Sequence, residues 1–309
     1  MIVLILDDWE DFFRDNPIVK ELQDQFTVKI YNDKPAEEEL LRRLKEADVV
    51  IPIRERTKFS KEILNEMPQT KLISQTGSGT AHIDMEEAKK LNITVTTTTG
   101  GYKAVVELIF SFILAFTKKL VSLNNQMKKG YWPETNCGSL ESKTIGIIGL
   151  GKIGLGVAKI AKAFDMRVIA WGPRLTKERA LAAGVEFVML DELLAEAHFI
   201  TLNVRLVKET TNLITERHLK LMREDAYLIN TSRGAVVNEE ALMKALEQKW
   251  IAGAGLDVFQ EEPLPKDHPL RYFPNVLLTP HIGWKADNIF NLFLSESMEN
   301  IYSFLKKDR

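Results

Sequence analysis

Residues 144–164 read TIGIIGLGKIGLGVAKIAKAF. Thr144 to Ile148 has the short, β-branched composition of a buried strand and Val157 to Phe164 the apolar spacing of a helix, so the glycines of Gly149-Leu150-Gly151-Lys152-Ile153-Gly154 fall between strand and helix. In that setting each glycine has a task. Gly149 permits the tight turn, Gly151 lets the backbone approach a pyrophosphate, and Gly154 allows the helix to pack closely on the strand. Lys152 and Ile153 open the helix, whose N-terminus attracts negative charge. The expected ligand is a dinucleotide.

A second strand, Arg167 to Trp171, follows on schedule and should end in an acid that holds the ribose 2'-hydroxyl of NAD. The residues there are Gly172-Pro173-Arg174, and Asp165 falls too early. Without a carboxylate at Gly172 a 2'-phosphate meets no repulsion, and Arg174 offers an attraction. NAD or NADP is therefore expected, the balance tilting to NADP; the other reading leaves Arg174 in solvent with both cofactors accepted.

Outward from this turn, β-rich runs alternate with helical patterns. Ile2 to Leu6, Thr27 to Tyr31, Val49 to Ile53, Lys71 to Ser74 and Ile93 to Thr96 form one series. Thr144 to Ile148, Val168 to Trp171, Phe199 to Leu202, Tyr227 to Asn230, Ala254 to Val258 and Val276 to Leu278 form another. This is the rhythm of parallel sheets in two α/β units. The 309 residues, 45% hydrophobic and 27% charged, suit two domains with cores of their own. A net charge of -2 leaves no basic surplus for nucleic acid or an anionic membrane. Cys137 is the only cysteine, so no intrachain disulfide or multi-cysteine metal site forms, and no pair of His or carboxylates has metal-ligand spacing on one helix, so no metal is expected. With no leader pattern before Asp7-Asp8, a cytoplasmic address is expected. Ala104 to Phe116 is too short for a membrane span, and Glu107 interrupts it. Its apolar character on nearly every face calls for burial on more than one side, which reads as a core helix with a homodimer contact as a further expectation.

In open parallel sheets ligands sit at the carboxyl ends of the strands. Tyr227 to Asn230 leads into Thr231-Ser232-Arg233-Gly234, Ala254 to Val258 into Gln260-Glu261-Glu262-Pro263, and Val276 to Leu278 into Thr279-Pro280-His281-Ile282-Gly283. An Arg, a Glu and a His thus share one edge. Arg233 offers a planar fork for a carboxylate, and His281 is the side chain suited to proton transfer near neutrality. A carboxylate beside it would fix its tautomer and make it the proton donor to a carbonyl that receives a hydride on carbon. His82, His198, His218 and His268 lack such a setting and read as structural or exposed.

These motifs, in this order and over essentially the whole chain, resemble the D-isomer-specific 2-hydroxyacid dehydrogenases: the Gly149 to Gly154 turn, Asn230 to Gly234, Gly255-Leu256-Asp257-Val258-Phe259 with Glu262-Pro263, and Thr279 to Gly283. The resemblance implies two Rossmann-like or flavodoxin-like doubly wound parallel-sheet domains with an active-site cleft between them. Residues 1–97 plus 285–309 would form the substrate domain and 98–284 the NAD(P)-binding domain. It implies hydride transfer between NAD(P)H and a small 2-oxo acid, with Arg233 binding the substrate carboxylate, His281 as acid/base and Glu262 as its partner. Asp257 would contact the nicotinamide carboxamide, with Thr231, Ser232 and Gly283 also on the cofactor side. Backbone N–H groups of Ser78 and Gly79 would meet the substrate carboxylate. Family members are commonly dimers through the cofactor domain.

Two positions leave specificity open. Arg54, in Arg54-Glu55-Arg56-Thr57 directly after a strand, either selects an acid with a second anionic or polar group or belongs to a solvated charge cluster. Trp284 stands where many members have a small residue. Two competing functions use the same scaffold: an NAD(H)-sensing regulatory binding protein, and a phosphite-type dehydrogenase. Retention of Arg233, Glu262 and His281 and a length without an extended regulatory tail favour chemistry over sensing, though such sensing proteins can keep the triad, while a phosphite-type reaction stays open.

Overall fold

Ile2-Val3-Leu4-Ile5-Leu6 is apolar at every position and buried almost throughout, the pattern of a strand covered on both faces. The same logic generates the rest of its sheet. In the computed structural model, which describes residues 1–307, strands β1 (Ile2–Leu6), β2 (Thr27–Ile30), β3 (Val49–Pro52), β4 (Leu72–Gln75) and β5 (Thr94–Thr97) form one parallel sheet in the order β2-β1-β3-β4-β5. The central strands are buried and the edge strands half-exposed. The amphipathic helix Asp287–Lys307 returns to this unit, burying Phe293, Leu294 and Ile301. Ser74 Oγ donates to Ser297 Oγ (3.1 Å) and Asn16 Nδ2 to Asn291 Oδ1 (2.8 Å).

The second sheet has seven parallel strands: β6 (Thr144–Ile148), β7 (Arg167–Trp171), β8 (Glu186–Phe187), β9 (Phe199–Leu202), β10 (Tyr227–Asn230), β11 (Gly253–Leu256) and β12 (Val276–Leu278). Their order is β12-β11-β10-β9-β6-β7-β8, with β6 between β9 and β7. Each half winds outward from β6, the arrangement of dinucleotide-binding folds, whose switch point lies where the strand order reverses. The two-residue β8 is too short to show in the sequence as a periodic run. By chain contacts the molecule divides into two compact units, residues 1–101 with 285 onward, and residues 102–284.

The apolar helix Tyr102–Thr117 is a core helix. Its burial is supplied within its own unit. Val106, Ile109, Phe110, Phe112 and Ile113 are buried, while Lys103, Glu107 and Ser111 form an exposed stripe at four-residue spacing. Phe112 lies where a Cβ on Gly255 would come within 2.7 Å of its ring, so a glycine in β11 admits the aromatic side chain to the sheet. Phe116 stacks on Tyr227 at 4.4 Å between centroids. Among the described residues no helix is long and apolar enough to cross a membrane.

Candidate active site

The phosphate turn has the geometry its glycines require. Gly149 sits at φ +100°, where a side chain would be strained, and a Cβ there would lie 2.6 Å from the Asn203 carbonyl oxygen. A Cβ on Gly154 would lie 2.3 Å from the Gly149 carbonyl oxygen, so the helix Lys152–Ala163 reaches the turn only because that atom is missing. At Gly151 nothing lies within 4 Å of the Cβ position. The first bond into this helix runs from Leu155 N–H to Gly151 O (2.8 Å), and no side chain caps its start. The N–H groups of Lys152, Ile153 and Gly154 thus face an open cradle, which suits a pyrophosphate. The residues present fit a dinucleotide.

At the other half of the sheet the strand ends are tied to one another. Asn230, buried at the end of β10, folds its own turn: its Oδ1 accepts from Ser232 N–H (3.1 Å) and Oγ (3.0 Å), and its Nδ2 donates to Arg233 O (3.0 Å). Arg233 Nη1 donates to Ser232 O at 2.7 Å. Gly234 lies so close to the next loop that a Cβ would come 2.0 Å from the Phe259 carbonyl carbon. The Arg233 turn and the loop bearing Glu262 therefore touch through their backbones. Glu262 Oε1 accepts from Phe259 N–H (3.0 Å), and its Oε2 lies 2.6 Å from His281 Nδ1. Burial pushes the Glu262 carboxyl up, but the hydrogen bond and charge of His281, the Phe259 N–H and the Arg233 guanidinium together hold it below the usual carboxylate range.

His281 itself adopts φ +53°, a left-handed conformation uncommon outside glycine, so something must hold its turn. That is Asp257. Its carboxylate, buried beyond the end of β11, accepts from Thr279 Oγ1 (2.6 Å) and Ile282 N–H (2.8 Å) on Oδ1 and from Gly283 N–H (2.8 Å) on Oδ2. Burial raises its pKa in spite of these donors. With three of roughly four acceptor positions taken, Asp257 is first a clamp on the histidine's turn. Sequence reading missed Asn230 and Thr279 as supports, since a side chain that braces a neighbouring turn leaves no mark in periodicity. Thr231 and Ser232 lie half-buried in the Asn230 turn, and Gly172 is buried at the end of β7.

In the first unit, the Arg54 to Arg56 run is not a solvated charge cluster. Arg56 pairs with Glu10 at 2.6 Å, stacks over the Trp9 ring at 4.3 Å and is only 8% exposed. The Arg54 guanidinium lies directly over Gly77, its Nη1 1.6 Å from where a Cβ would stand, and Glu55 Oε1 lies 2.3 Å from the Cβ position of Gly79. Ser78 is exposed, and among the described residues the N–H groups of Ser78 and Gly79 donate to no protein acceptor. The remaining histidines do structural work. His198 and His218 accept from the backbone N–H of Thr144 (3.1 Å) and Thr215 (3.2 Å), His268 from Leu270 N–H (3.3 Å), and His82 pairs with Gln75 (3.1 Å). Burial lowers the pKa of His82, His198 and His218, favouring the neutral ring.

A parallel doubly wound sheet with a glycine turn at its switch point, and an Arg, a Glu and a His at the ends of its later strands, is the arrangement of dinucleotide-binding α/β oxidoreductases. A family model described as D-isomer specific 2-hydroxyacid dehydrogenase, NAD binding domain, matches residues 110–283. The glyoxylate reductase of Thermococcus litoralis is 39% identical over 277 residues, 86% of this chain and 83% of that protein. The solved D-lactate dehydrogenase of Aquifex aeolicus, complexed with NAD and lactic acid, is 31% identical with a TM-score of 0.83, covering 99% of this chain and 96% of its own. A solved acyclic imino acid reductase (Bsp5), in complex with NADPH and D-Arg, is 30% identical with a TM-score of 0.85 over 99% and 98% of the two chains. The chain belongs to the D-isomer-specific 2-hydroxyacid dehydrogenase family.

Proposed function

We propose that this protein catalyses reversible hydride transfer between a nicotinamide dinucleotide and a small 2-oxo acid, giving the D-2-hydroxy acid. The observation that carries the reading is the contact of 2.6 Å between His281 Nδ1 and Glu262 Oε2, in the same unit as the Gly149 to Gly154 turn and against the Arg233 turn. An ionised carboxylate only accepts, so Nδ1 carries a proton and the tautomer is set. The opposite nitrogen, Nε2, then gives a proton to the carbonyl oxygen during reduction and takes it back during oxidation. Arg233 holds the substrate carboxylate in its planar fork, which fixes the adjacent carbonyl carbon. When bound, the nicotinamide dinucleotide supplies the hydride.

Within the first unit, the two N–H groups of Ser78 and Gly79 suit a carboxylate, and Arg54 suits a second anionic group on the substrate. NADP is the favoured cofactor, because Gly172 supplies no acid and Arg174 stands two residues on; the related Bsp5 reductase was solved with NADPH. A homodimer is proposed from the exposed apolar residues Leu120, Val121, Met127, Tyr131 and Trp132, the last 80% exposed. A reducing, cytoplasmic setting accords with a lone unbridged Cys137.

The test is oxidation of NADH and NADPH, in parallel, with glyoxylate, hydroxypyruvate, pyruvate, phenylpyruvate and 2-oxo diacids. Turnover with one of them is expected, and faster turnover of acids bearing a second anionic group would mark Arg54. Tight dinucleotide binding with no turnover would overturn the proposal and favour a dinucleotide-sensing protein.

A further inference from the structure

The two strands flanking β6 end in matching sequences. Beyond β7 residues 174–178 read Arg-Leu-Thr-Lys-Glu, and beyond β9 residues 205–209 read Arg-Leu-Val-Lys-Glu. The likeness is invisible as chemistry until the strand order is known, because 31 positions separate the two arginines in the chain. In the sheet they are brought to either side of the phosphate turn. A Cβ on Gly172, just past β7, would lie 3.6 Å from Gly149 Cα; a Cβ on Gly149 would in turn lie 2.6 Å from Asn203 O and 3.0 Å from Val204 Cγ1, just past β9. Both segments thus press against the same glycine. Arg174 stands two residues beyond Gly172, and Arg205 two residues beyond Asn203.

Both backbones are pinned. Arg179 Nη1 donates to Arg174 O (3.1 Å), and Thr210 Oγ1 donates to Arg205 O (2.6 Å). The side chains are not. Among the described residues the Arg174 and Arg205 guanidinium groups have no hydrogen-bond or ion-pair partner, whereas every other described arginine has at least one. Both are exposed, and neither segment 172–176 nor segment 203–207 contains an acid. Two unpaired forks with five donors each, on anchored backbones around an anion-binding turn, match a phosphate monoester, which carries about -1.5 to -2 charges near neutral pH.

We infer that Arg205 is a second cofactor-specificity residue, closing with Arg174 on the 2'-phosphate of NADPH. The inference rests on the dinucleotide assignment proposed above and deepens it: specificity is read from both strands that border β6, not from the β7 end alone. A guanidinium at Arg205 that merely stacked on the adenine face would serve NADH and NADPH alike, and the two cases separate by experiment.

Isothermal titration of the full-length protein with 2',5'-ADP and with ADP tests the inference by binding alone. The parent chain is expected to prefer 2',5'-ADP. Arg205→Ala and Arg174→Ala should each weaken 2',5'-ADP by roughly 10- to 100-fold, the worth of a charge-assisted contact, while ADP changes by no more than about twofold. Arg205→Lys should restore part of the loss, since a point charge attracts the phosphate without the fork. Equal weakening of both ligands in Arg205→Ala, or no change in either, would overturn the inference, provided thermal melts show the variant folded. Turnover of 2-oxo acids by the parent chain with NADH reads the functional proposal separately. Turnover without a 2',5'-ADP preference removes only the Arg205 inference, and a preference without turnover removes only the catalytic reading.

Discussion

At the scale of the residue, His281 depends on two carboxylates in different ways. Glu262 meets its ring, and Asp257 holds the backbone that carries it. Replacing His281 with Ala removes the proton donor and should lower kcat by roughly 10² to 10⁴-fold with dinucleotide affinity retained. Steady-state kinetics beside NADH titration would show it, and unchanged turnover would refute the assignment. Asp7 gives a prediction about stability. It follows β1 at φ +67°, is buried, and accepts from Thr57 Oγ1 (2.8 Å). Burial raises its pKa from 3.8 to about 6. The folded state therefore binds this proton more tightly than the unfolded chain, and stability is lost as pH rises from the unfolded value through the folded one. By pH 7 the loss is on the order of 3 kcal/mol. Asp7→Asn keeps an acceptor for Thr57, tolerates positive φ and cannot ionise. Urea melts should show it more stable than the parent by about 1–3 kcal/mol at pH 7, with the gap closing near pH 4. A gap independent of pH would mean that Asp7 ionisation is not the cause.

At the scale of the element, the turn between β6 and the helix Lys152–Ala163 works by close approach. A methyl group on Gly154 would strike the Gly149 carbonyl at 2.3 Å, a backbone atom that cannot swing aside. Gly154→Ala must shift either the helix or the turn, so about 1–3 kcal/mol of stability should be lost, with NADH affinity falling by roughly tenfold or more as the N–H cradle is displaced. Calorimetric titration and thermal melts report the two effects. A variant that melts lower but binds NADH normally would show that the helix start does not hold the cofactor. The boundaries of most strands were legible because buried parallel strands are short runs of Ile, Val and Leu between polar stretches. The two-residue β8 was not, because its pairing to β7 comes from tertiary contact and not from its own composition.

At the scale of the whole molecule, the segment from Leu120 to Trp132 gathers several exposed apolar side chains. Sedimentation equilibrium should find twice the chain mass of 35.2 kDa. Trp132→Asp should shift the balance to single chains, because a charge replaces an aromatic side chain of the kind that anchors interfaces. A monomeric parent would remove the proposal. In the sequence the run Ala104 to Phe116 reads as a core helix with a dimer contact as a further expectation; the helix buries Val106, Ile109, Phe110, Phe112 and Ile113 in its own unit, and a set of exposed apolar residues follows from Leu120.

What the sequence determined by itself was local. The glycine turn, the alternation of strand and helix, and the presence of Arg233, Glu262 and His281 just past strand ends all lie in short windows, because backbone periodicity and turn chemistry are properties of neighbouring residues. What only the tertiary structure decided was adjacency. The lateral order of the strands puts the ends of β7 and β9 on either side of Gly149, brings the Asp257 carboxylate under the Thr279 to Gly283 turn, and lays Phe112 on Gly255. None of these follows from spacing along the chain, since each joins segments tens to over a hundred residues apart, and the packing that unites them is settled by burial of the whole sheet.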